Sequence, residues 1–193
     1  EGDVVYSLQE TTERGDARKL AATINPVYLE IANEVLTNAE KEFSTIDRNV
    51  LFPLADHIEF AVKRIINQKQ ISNPLTDDIR VLFYKEFKIA QSAKEILKKH
   101  LDVEIEDDEI GYISLHIHSA IQDEKISQAM QIAQAVRECI SLVELETGRP
   151  IDVMSLSYNR LMNHIRNMVA RALSGEKLKL NIQKFASGIL SLG

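Results

Sequence analysis

One eleven-residue pattern is written twice in this chain. Leu54-Ala55-Asp56-His57-Ile58-Glu59-Phe60-Ala61-Val62-Lys63-Arg64 returns as Leu161-Met162-Asn163-His164-Ile165-Arg166-Asn167-Met168-Val169-Ala170-Arg171, at an offset of 107 residues and with Leu, His, Ile, Val and Arg in register. The offset is a common domain length, so a duplication of this kind divides 193 residues into two related units, each with its own core. In the first copy Leu54, Ile58, Ala61 and Ile65 form an apolar stripe at helical spacing, and in the second Leu161, Ile165, Met168 and Ala172 do the same.

Composition points the same way. Seven Gly, four Pro and no Trp, against 45% hydrophobic residues rich in Leu, Ile and Ala, leave turn formers scarce and helix formers abundant. The expected fold is all-α, a compact helical bundle. The single Cys139 rules out an intrachain disulfide framework and any cysteine-based zinc finger, which fits a reducing, cytoplasmic setting. No apolar run approaches the roughly 20 residues that cross a bilayer, so membrane insertion is not expected. A formal net charge of -6 opposes direct binding to a phosphate backbone.

Along the chain, Val4-Val5-Tyr6-Ser7-Leu8 reads as a short strand without an obvious partner. Residues 1–18 are therefore expected to be a linker and the remnant of something upstream. Asn25 as N-cap and Pro26 at the first helical position open a helix that carries Val27, Ile31, Val35 and Leu36 to about residue 43. Pro53 fits the first turn of a second helix, which ends near residue 68 and holds the repeated pattern. After the turn at Asn73-Pro74, apolar positions from Thr76 to about His100 predict one helix or two. Residues 110–121 can be read with a period of two or of 3.6. The preceding carboxylates decide for helix, because Asp107 or Asp108 can cap it and negative charge suits a helix N-terminus. A helix from about 127 to 146, a turn at Gly148-Arg149-Pro150 and the echo helix from about 155 to 173 follow. The counterpart of the 110–121 helix would fall beyond residue 193, so the second unit is expected to be partial, its tail 177–193 packing as one more helix.

The chemistry lies in the histidines. Seven residues apart, His57 and Arg64 fall within about 20° of one another on a helix, at the edge of the apolar stripe, and His164 and Arg171 repeat that relation. A neutral imidazole is a nucleophile toward phosphoryl groups, and a neighbouring arginine can receive the phosphate through charge-assisted hydrogen bonds. Asp56 projects to the solvent side of the same helix. The plain structural alternative makes both histidines boundary residues bonded to backbone. His116 and His118 stand about 200° apart on a helix and cannot share a metal ion, so only one of them can face His57, with Tyr112 one turn before His116 on its side. His100, near a helix end, reads as a C-terminal cap.

Residues 54–64, together with Asp108-Glu109-Ile110-Gly111-Tyr112-Ile113-Ser114-Leu115-His116-Ile117-His118, strongly resemble the PTS regulation domains of bacterial transcriptional antiterminators. The wording is most like the glucose branch. The resemblance covers residues from about 19 onward and implies a first regulation domain at 19–123 and a second, truncated one at 124–193. It implies homodimeric helical bundles, phosphoacceptor roles for His57, His116 and His164, supporting roles for Arg64, Arg171, Asp56 and Tyr112, and no cofactor or metal. The implied partners are the histidine phosphocarrier protein and the sugar permease of the phosphotransferase system, with RNA bound only through a missing N-terminal domain. The implied protein is a switch rather than an enzyme. The competing expectation is a helical dimerisation module without phosphotransfer; a histidine-based hydrolase ranks below both, since Asp56 and Glu59 lie off the His57 face.

Overall fold

A computed structural model describes residues 24–69, 71–122, 124–151, 155–173 and 175. The expectations of a strand at 4–8 and of a helix at 177–193 lie outside these residues. Every described element is helical, which settles the fold class as all-α. The chain divides into two compact units, the first ending at Glu138 and the second beginning at Cys139.

In the first unit α1 (Pro26–Glu42) starts where expected: the Asn25 side chain accepts the Val27 amide at 3.1 Å and Pro26 occupies the first turn. It buries Ile31, Ala32, Val35, Leu36 and Ala39 along one face. A short 3-10 turn (Arg48–Val50), capped by Asp47, leads into α2 (Leu51–Ile66). Pro53 sits in the first turn of α2, where its missing N–H costs no hydrogen bond, and Leu54, Ala55, Ile58, Ala61 and Val62 face the core.

Where the sequence predicts one helix or two, the chain forms three short ones: α3 (Thr76–Leu82), α4 (Tyr84–Ala90) and α5 (Ser92–Leu101). The first break falls at Phe83, whose backbone leaves the helical region (φ -118, ψ 46) while its side chain stays 1% exposed. Burying that ring outweighs keeping the helix continuous. The last of the three ends at Asp102 in the left-handed conformation, which Asp tolerates better than most side chains.

Helix α6 (Asp107–Gln122) is the centre of the unit. Ten of its residues are buried, on all sides, and it packs against α2, α3, α4 and the 3-10 turn. It is the helix expected over 110–121. The caps assigned to its acidic start need correction, because other helices claim those carboxylates. Asp107 receives Lys94 at 2.6 Å and Arg80 at 2.7 Å, and Asp108 receives the Thr76 hydroxyl at 2.5 Å.

Helix α7 (Ile126–Thr147) begins in the first unit, where Ala129, Ile132, Ala133 and Val136 are buried. In the second unit, α8 (Leu156–Leu173) buries Tyr158, Met162 and Ile165. The apolar stripe expected through Met168 and Ala172 is not a core face, since Met168 is 45% exposed and Ala172 is exposed too. Among the described side chains of α8, burial stops at Ile165.

Candidate functional site

His57 stands midway along α2 and Arg64 two turns later on the same face, as their spacing requires. Facing them, α6 presents Glu109, Tyr112 and His116 at intervals of three and four residues, one side of a helix. The two helices thus enclose a polar cluster, the chamber, beside the apolar core.

Glu109 is its hub. One carboxylate oxygen, Oε1, accepts Arg64 Nη2 at 2.6 Å and Nε at 3.2 Å, and the other, Oε2, lies 3.2 Å from His57 Nε2. The side chains are 5% exposed for Glu109, 11% for His57 and 21% for Arg64, so the pairing is largely withdrawn from water. The His57 ring centroid is 5.3 Å from that of His116 and 5.7 Å from that of Tyr112. His116 itself is buried, and its Nδ1 has no hydrogen-bond partner among the described residues.

The charges follow from this arrangement. Burial opposes ionisation of Glu109, but the bonds and positive charge supplied by His57 and Arg64 outweigh it and hold the carboxyl below its usual range. His116 is pushed well below the ordinary imidazole value, first by burial and then by the neighbouring His57, so it sits in the core as a neutral ring. Burial, and next the Glu109 charge, raise the Tyr112 hydroxyl. The chamber therefore holds one buried carboxylate and one arginine beside two imidazoles, a neutral nucleophile within reach of a group that can receive an anion.

Structure and sequence agree that His57, Arg64, Tyr112 and His116 come together. Glu109 is the residue the sequence reading missed: it was counted among the dipole-favouring carboxylates of an acidic run. Its signal was its register with Tyr112 and His116. Asp56, expected on the solvent side, is half-buried instead, and burial followed by the Glu59 charge raises its carboxyl.

His118 faces away from the chamber, as the helical reading requires. Its Nδ1 meets Glu86 at 3.0 Å, its Nε2 meets Glu124 at 2.9 Å, and its ring packs 4.4 Å from Phe83. Among the described residues no cluster suited to a metal ion occurs. His100 is not a cap. It reaches across to α1 and pairs with Glu34 at 2.6 Å, because the end of α5 lies against that helix. His164 and Arg171 are both exposed on α8. None of the described helices is long and apolar enough to cross a membrane.

Two histidines, an arginine and a carboxylate set between two helices make up the candidate site. Residues 29–120, which include all of these groups, match the PRD domain family. The chain's relatives include the GlcA/glcB genes antiterminator of Staphylococcus carnosus, 30% identical over 93% of this chain and 63% of that protein. Protein GlcT of Staphylococcus saprophyticus is 29% identical over 91% of this chain and 63% of its own length. The chain thus spans about three fifths of these relatives. Among solved structures, that of GlcT CAT-PRDI is similar with a TM-score of 0.51 and 27% identity, covering 55% of this chain and 64% of that one.

Proposed function

We propose that this chain is the phosphorylation-responsive regulatory region of a transcriptional antiterminator controlling sugar phosphotransferase genes. The observation that carries the reading is the chamber in which Glu109 bridges His57 and Arg64 beside His116. Antiterminator relatives that align over nine tenths of the chain support it. In this reading residues 19–123 and 124–193 are two regulation domains, and the protein works in the cytoplasm as a homodimer. His57, His116 and His164 accept phosphate from the histidine phosphocarrier protein or a sugar permease. The readout is RNA binding by an N-terminal domain.

Mechanistically, an imidazole nitrogen attacks phosphorus, and the donor's phosphorylated side chain leaves with the electron pair of its broken bond to phosphorus. The new phosphate brings about 1.5 to 2 negative charges into a site that already holds a carboxylate, so it competes with Glu109 for Arg64 and repels the carboxylate it displaces. Because Glu109 and Arg64 lie on different helices, that exchange loosens the contact between α2 and α6 and alters how protomers pair. The protein turns nothing over.

The test is phosphotransfer from purified phosphotransferase components. His57→Ala together with His116→Ala is expected to abolish permease-dependent, acid-labile label in the first unit. Label persisting there in the double variant overturns the assignment. A wild-type chain that takes no phosphate from any component supports instead a structural dimerisation module.

A further inference from the structure

The contact between His57 and Glu109 bears on which atom of His57 reacts. Two nitrogens are available in principle, and the surroundings treat them differently. Nε2 is buried and lies 3.2 Å from Glu109 Oε2, a close charge contact without hydrogen-bond alignment, and neither atom has a hydrogen-bond partner among the described residues. The other carboxylate oxygen is held by Arg64 through two N–H groups, which keeps the carboxylate beside the ring. Glu109 is ionised and has no proton to give. The contact is therefore favourable only when the ring carries its proton on Nε2, and in a neutral imidazole that leaves the lone pair on Nδ1. A phosphoryl donor aimed at Nε2 would in addition have to displace a buried carboxylate of its own charge.

We infer that Glu109 is a positioning residue for His57: it holds the ring proton on Nε2 and makes Nδ1 the nitrogen that accepts a phosphoryl group. Arg64 acts one step further back by orienting Glu109. The inference rests on the reading of His57 as a phosphoacceptor, but its tautomer half stands on geometry alone. The phosphate on Nδ1 leaves Nε2–H in place, so the transfer takes no proton from the nitrogen that faces Glu109.

The experiment uses the full chain with ¹⁵N-labelled histidine and phosphoramidate as a small donor. In the transfer, the P–N bond of phosphoramidate breaks and ammonia leaves with its electron pair. Nδ1 forms the new P–N bond, and the ring keeps its proton on Nε2. Two-bond ¹H–¹⁵N correlations, with His57→Ala to assign the signal, report the tautomer before reaction and the phosphohistidine isomer after it.

The expected result is an Nε2–H tautomer with a strongly deshielded ring proton, and an Nδ1-phosphohistidine at position 57. Glu109→Gln, which can donate as well as accept, is expected to remove the deshielded signal and to lower the Nδ1:Nε2 product ratio about tenfold, as for loss of one close charge contact in a partly buried site. A merely structural Glu109 would change the melting temperature and leave the isomer ratio alone. An Nδ1–H tautomer or an Nε2 phosphate in the wild-type chain overturns the inference, and so does an unchanged ratio in Glu109→Gln. Should that variant not fold, the wild-type tautomer and isomer decide. Failure of His57 to take phosphate from any donor overturns the phosphoacceptor reading, and the tautomer then decides the role of Glu109 by itself.

Discussion

Helices α2 and α8 carry the same five residues at the same spacing, and among the described residues a second helix meets that edge on α2. On α2 the histidine side chain is 11% exposed and is held between a carboxylate, a second imidazole and a phenol. On α8 His164 and Arg171 are exposed. The repeated pattern therefore encodes a helix with a histidine and an arginine along one edge, and nothing more. What converts that edge into a site is a second helix, α6, that brings Glu109, Tyr112 and His116 against it. The same contrast runs through the apolar stripe: Ile58 is fully buried on α2, whereas the stripe on α8 is abandoned after Ile165, leaving Met168 45% exposed.

Substitutions at paired positions test how far the two helices differ. The largest effect is expected in the apolar stripe. Ile58→Ala should cost about 2–5 kcal/mol, because deleting a fully buried side chain removes its burial and leaves a cavity. Met168→Ala should stay within about 1 kcal/mol, as for a half-exposed site. Urea unfolding of the two variants decides; equal costs would mean that α8 is as well packed as α2.

Next comes the arginine. Arg64→Met leaves Glu109 buried with only a histidine for company and should destabilise by about 2–3 kcal/mol, at or just below the lower end of the range for stripping one partner from a buried ion pair, since Arg64 is itself partly exposed. Arg171→Met is expected within about 1 kcal/mol, as for an exposed charge and its partner. A similar cost for both would remove the distinction between the two histidine–arginine pairs.

The smallest effect is in the pH profile. The fold holds His116 neutral, with its affinity for protons depressed, so below about pH 6.5 the unfolded chain binds a proton that the folded one does not. Stability is therefore full above that pH and declines as pH falls, by no more than about 1.4 kcal/mol per unit. His116→Gln should flatten the decline between roughly pH 6.5 and 5. Glu109, whose carboxyl is also held low, acts in the same direction in a separate window, contributing above about pH 4.3 and losing its contribution as pH falls further. A profile unchanged by His116→Gln would place that imidazole in water rather than in the core.

Much of this was legible before any coordinates. The all-helical class followed from composition and period, the start of α1 from Asn25 and Pro26, and the shared face of His57 and Arg64 from seven-residue spacing. The assignment of residues 110–121 to a helix followed from the acidic run before them. Local signals carry these features because they depend on residues a few positions apart. Other features depended on distant partners. Asp107 and Asp108 looked like caps and are engaged instead by Arg80, Lys94 and Thr76. His100 looked like a helix end and reaches Glu34, 66 residues away in sequence. The break at Phe83 has no turn residue to announce it, since the burial of the ring produces it.

The sequence by itself determined that this chain is helical, that a histidine–arginine edge occurs twice, and that His116 and His118 point in opposite directions. Only the tertiary structure decided that Glu109 completes the edge on α2, while His164 and Arg171 on α8 are exposed. Helical periodicity sets the direction of each side chain relative to its neighbours, whereas the partner of a buried carboxylate is chosen by which helices the apolar core presses together.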